Sequence, residues 1–94
     1  MVDIGGDVGA AIVWTSLELQ GTEIEIRRLP AAWDGSHTAV RERQTGSGLR
    51  PAALFGSLPS GDYELRRRPP EPGGVVVAVV VEGARVVEVS WPGP

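Results

Sequence analysis

Apolar positions along this chain either alternate with polar ones or run on without a break. Nowhere do they recur at i, i+3, i+4 and i+7 over three turns, so no amphipathic helix is expected. Residues 23–27 alternate most cleanly, with Ile24 and Ile26 between Glu23, Glu25 and Arg27, the pattern of a half-buried strand. Further strands are expected at residues 10–14, 37–44, 51–58 and 62–67, and turns at Asp34-Gly35, 45–48 and 59–61. Leu29-Pro30 ends the second strand, residues 31–36 read as a loop, and residues 69–74 as a proline-rich loop. With two strands at the C-terminal end the total is about seven, the count of an immunoglobulin-like sandwich.

Residues 75–89, VVVAVVVEGARVVEV, read as a β-hairpin turning at Glu82-Gly83. A two-residue turn would put Val76, Ala78, Val80, Val87 and Val89 inside. Val75, Val77, Val79, Val81 and Val86 would then form an outward apolar stripe, since antiparallel partners share a face. A three-residue turn with Gly83 in a bulge would reverse the first strand and turn Val76, Ala78, Val80 and Val86 outward. Either register leaves more valine than one buried face uses, so the stripe of Val75, Val77, Val79, Val81 and Val86 is the candidate partner-binding surface. A second expected pairing sets Glu23 and Glu25 against Arg41 and Arg43 of the strand from His37, which would favour one register.

Ninety-four residues suit one β-sandwich domain spanning 1–94. Thirteen glycines and eight prolines disfavour long helices. The absence of cysteine excludes disulfides and thiolate chemistry. All nine basic residues are arginine, against twelve acidic ones, and a net charge of −3 argues against a nucleic-acid partner. No apolar run reaches the roughly 18 residues of a membrane-spanning helix, and the start lacks the basic region of a signal peptide, so a cytoplasmic location is expected.

The segment from Leu58 to Leu65, LPSGDYEL, has the form LPxGxYxL and resembles the corner of prealbumin-like sandwiches, including Cna-B and carboxypeptidase-regulatory-like domains. That resemblance implies a glycine turn leading into a strand whose tyrosine, here Tyr63, packs inward, and a role as a stalk, spacer or binding module. The stretches DIGGDVGA, EIEIR and HTAVRER also resemble a group of small uncharacterised actinobacterial proteins, some with lipase-type names. The fold expected on all these grounds is all-β: a single antiparallel β-sandwich of about seven strands, prealbumin- or immunoglobulin-like.

Candidate chemistry is sparse. His37 is the lone histidine, and a Ser–His–Asp hydrolase would have to combine it with a distant serine such as Ser57 or Ser60. There is no G-x-S-x-G elbow. Asp3 and Asp7 bracket Gly5-Gly6 and offer two carboxylates to a hard cation that takes about six to eight oxygens. Trp33 lies in a loop beside Asp34 and near His37, an apolar plate with an acceptor that would suit a carbohydrate or other small ligand. Trp14 and Trp91 end strands and are expected to pack together in the core. Arg66-Arg67-Arg68 reads as a solvated strand end. No cofactor is expected. The leading expectation is a non-enzymatic protein-interaction or assembly module that associates with itself or with a larger protein partner, followed by the small-ligand domain and then the hydrolase.

Overall fold

The computed structural model describes residues 4–92 of the chain. Eight strands form two four-stranded sheets: β1 Val8–Trp14, β2 Glu23–Arg28, β3 His37–Ala39, β4 Arg41–Thr45, β5 Gly48–Pro59, β6 Gly61–Arg68, β7 Val76–Val81 and β8 Val86–Ser90. One sheet has the order β4-β5-β1-β8 and the other β3-β2-β6-β7. A single 3₁₀ turn, Leu17–Leu19, follows β1 and inserts Leu19 into the core. The all-β sandwich is as expected, with one strand more and with one mixed sheet, because β8 runs parallel to β1.

The C-terminal valine runs do not form a hairpin. β7 pairs with β6 in one sheet and β8 with β1 in the other. The backbone of the connection between them bonds to β1. The Ala84 N–H donates to the Val8 carbonyl at 2.9 Å, and the Ala10 N–H donates to the Arg85 carbonyl at 3.0 Å. Gly83 passes so close to the first turn that a Cβ there would lie 2.0 Å from the Gly6 carbonyl oxygen. The physical reason for the crossing lies in β1. It carries no charged residue and is apolar on both faces, the pattern of a strand covered and paired on both sides. A hairpin would have left it as a bare sheet edge, whereas β8 completes its hydrogen bonding.

The strand expected over residues 37–44 divides at Val40, which is 1% exposed. Backbone bonds from the Val40 N–H to the Thr22 carbonyl and from the Gly21 N–H to the Val40 carbonyl, both 2.8 Å, hold it at the corner. β3 stays beside β2 while β4 crosses to the other sheet, so Arg41 and Arg43 never face Glu23 and Glu25. The glutamates meet β6 instead, in the register Glu23↔Arg68 and Glu25↔Arg66.

The core lies between the sheets, where Val13, Ile24, Val40, Leu65 and Val81 are the largest side chains fully removed from water. At the β5–β6 corner Gly61 takes φ +154° under the Arg28 guanidinium, and Tyr63 packs inward with its hydroxyl donating to the Pro59 carbonyl at 2.6 Å. This is the local geometry the LPxGxYxL segment implies.

Candidate interaction surfaces

Strand alternation assigns the exposed side chains of the strands to two outer faces. On β6 and β7 the inward residues are Tyr63, Leu65, Val79 and Val81, with Val77 packed against the core. The accessible valines of β7 are therefore Val76 and Val80, at 51% and 61% exposed, with Ala78 between them. Of the stripe anticipated at Val75, Val77, Val79, Val81 and Val86, the middle three face the interior, and Val75 and Val86 remain half-exposed. The correction follows from the pairing with β6, whose inward Tyr63 and Leu65 lie opposite Val79 and Val77.

The outer face of β3-β2-β6-β7 is a ladder of opposite charges. The Arg66 Nε donates to Glu25 Oε1 at 2.9 Å, and the Arg27 Nε donates to Glu64 Oε1 at 2.9 Å. Glu23 lies 3.0 Å from the His37 Nε2 and 4.0 Å from the Arg68 Nε. Trp33 stacks on this ladder with the Arg66 guanidinium 4.1 Å and the Arg27 guanidinium 4.8 Å from its ring. Glu25 is only 5% exposed although it points away from the core.

Of the three residues singled out for ligand binding, Trp33 and His37 reach this face, and all three are engaged by neighbouring protein groups. Trp33 serves two guanidiniums. An Asp34 oxygen accepts the Ser36 N–H at 2.9 Å, and hydrogen bonds from the Ser36 hydroxyl and N–H hold its carboxyl below the ordinary value. The His37 Nδ1 lies 2.8 Å from the Gly35 carbonyl and 2.7 Å from the Arg68 Nη1. With its Nε2 facing Glu23 and its Nδ1 facing Arg68 and Gly35, His37 is one rung of the ladder. Two of the three arginines expected to be a solvated strand end also belong to it.

The opposite outer face, on β4-β5-β1-β8, has a different chemistry. Ala11, Val13, Ala53 and Phe55 point inward, so Ala10, Ile12 and Trp14 of β1 and Ala52 and Leu54 of β5 point outward. Val86 joins them from β8, beside Ala10. Trp91 is in the core, but Trp14 is not, so the expected tryptophan pair is separated by the sheet. The Arg50 guanidinium stacks 4.3 Å from the Trp14 ring, and the indole N–H donates to Glu88 Oε1 at 2.8 Å. Arg41 and Arg43 lie in register with Ala52 and Arg50, so three guanidiniums line the β4 margin of this apolar strip. Sequence reading missed Ile12 and Leu54 and expected Trp14 in the core. The signal was present in the unbroken apolar runs VGAAIVW and PAALF, of the same kind as the valine runs.

A cavity of about 380 Å³ opens at one end of the sandwich, lined by Arg67, Pro70, Glu71, Val76 and Trp91. Among the described residues no three His, Cys, Asp or Glu side chains gather as a metal site. Asp7 is exposed, and Asp3 lies outside the described residues. No helix of the described chain is long and apolar enough to cross a membrane. No protein-family model, no curated protein and no solved structure matches the chain.

Proposed function

We propose that this chain is a non-catalytic protein-association module whose contact surface is the outer face of the β4-β5-β1-β8 sheet. The observation that carries this reading is the apolar strip Ile12, Trp14, Leu54 and Val86, on the far side of a sheet whose other side already supplies the core. An aromatic anchor and arginines beside a small apolar centre are the composition of interface hot spots. Arg41, Arg43 and Arg50 favour a partner that presents acidic groups around an apolar patch, although the chain itself carries net negative charge. The prealbumin-like resemblance belongs to the same proposal. The Gly61 turn and inward Tyr63 support it, and the spacer and binding roles of that group accord with an association module.

The test is affinity capture from the source proteome with wild type and Val86→Glu side by side, quantified by mass spectrometry. Val86 is 49% exposed on an edge strand, so the variant folds. The expected result is a partner enriched by wild type and reduced about tenfold or more by Val86→Glu, with binding weakened by salt. Equal capture by both proteins would remove this face from consideration.

A further inference from the structure

A sandwich of two open sheets has four edge strands, and here they are β4, β8, β3 and β7. Exposed edges invite pairing with another chain and are normally blunted by shortness, charge, proline or a bulge. β3 has only three residues. β4 carries Arg41, Glu42 and Arg43, and β8 carries Glu88. β7 has none of these devices: six residues, VVAVVV, without charge, proline or glycine, in unbroken register with β6. We propose that β7 pairs edge to edge and antiparallel with β7 of a second copy of this chain, joining two four-stranded sheets into one continuous sheet about a two-fold axis.

The occupant is a second copy because the strand is its own complement. Directly opposed residues of an antiparallel pair share a face, so outward Val76, Ala78 and Val80 must oppose the outward residues of the partner strand. A two-fold axis meets that condition only when it passes through a residue rather than between two. An axis through Ala78 sets Val76 against the partner's Val80 and Val80 against the partner's Val76. The two most exposed valines of the strand are then covered, while Ala78 meets Ala78 and inward Val77 meets Val79. An axis through Val79 would leave Val76 without a counterpart. The strand has no charge to repel its copy, and backbone N–H and C=O groups supply the adhesion. This pairing is independent of the apolar face proposed above and would present two copies of that face in one assembly.

The experiment is solution mass by light scattering, with circular dichroism to verify folding. Wild type is expected at twice the chain mass at roughly 100 μM, and Ala78→Lys, which sets two ammonium groups opposite each other on the axis, weakens the dimer about tenfold or more. The double variant Val76→Lys/Val80→Glu opposes unlike charges in the same register and stays dimeric. Val86→Glu also stays dimeric, which separates a failure of this pairing from a failure of the association face. A wild type that remains monomeric up to roughly 1 mM, or a folded Ala78→Lys protein that dimerises as wild type does, would overturn the proposal.

Discussion

The two outer faces of this sandwich each present one tryptophan with stacked arginine, and they use it differently. Trp33 sits on two guanidiniums that are themselves held by Glu25 and Glu64, so its contacts end within the chain. Trp14 takes one guanidinium and one carboxylate, and beside it the half-buried Ile12 and Leu54 and the half-exposed Val86 face outward. The same residue type therefore closes one face and opens the other. A tryptophan whose arginines have carboxylate partners completes a local network. One at the margin of an apolar strip offers area to another molecule.

The largest expected effect tests the closed face. Arg66→Ala leaves the nearly buried Glu25 carboxylate without its partner and removes the closer of the two guanidiniums stacked on Trp33. Breaking such a pair from one side costs about 3 kcal/mol, and replacing both partners with leucine recovers most of it. Urea denaturation measures both. A loss under about 1 kcal/mol would make the ladder an ordinary surface network and erase the contrast between the faces.

A smaller effect separates the tryptophans. Trp33→Ala is expected to cost about 1–2 kcal/mol of stability, since two cation–π contacts are lost, and to leave partner capture unchanged. Trp14→Ala is expected to cost about 1 kcal/mol of stability and at least about 2 kcal/mol of partner affinity. If both variants lose partner capture equally, or neither does, the division of labour fails.

The smallest effect is a control on the interior that both faces enclose. Burial raises the Tyr63 phenol above its ordinary value of about 10, with Arg28 opposing the shift. The unfolded chain then gives up the phenolic proton first. Stability is accordingly flat with respect to this group below pH about 10 and falls as pH rises beyond it, until the folded tyrosine also ionises. Tyr63 is the lone tyrosine, so ultraviolet difference absorption follows its titration without overlap from another. Ionisation at the ordinary value in the native protein would contradict the inward packing.

Local pattern carried much of the architecture. Alternation in EIEIR marked Ile24 and Ile26 as interior, and the glycine turn before Tyr63 is where LPSGDYEL placed it. Partner choice was not legible to the same degree. The glutamates of β2 had two arginine sets of equal charge to choose from, Arg41 and Arg43 or Arg66 and Arg68, and Val40 decided by turning into the core and sending β4 across. The outward apolar strip was visible as unbroken runs in β1 and β5, but a run that is apolar on both faces reads equally as a covered strand.

Composition and periodicity alone determined that this chain makes short strands, buries alternate residues and turns at glycine and proline, because those preferences act within a few residues. Which strand lies beside which was settled only by the folded whole. Val76–Val81 and Val86–Ser90 are adjacent in sequence and belong to different sheets, because β1 needed a second hydrogen-bonding neighbour more than the two valine runs needed each other. That demand arises from a strand some seventy residues away, and no window of local sequence contains it.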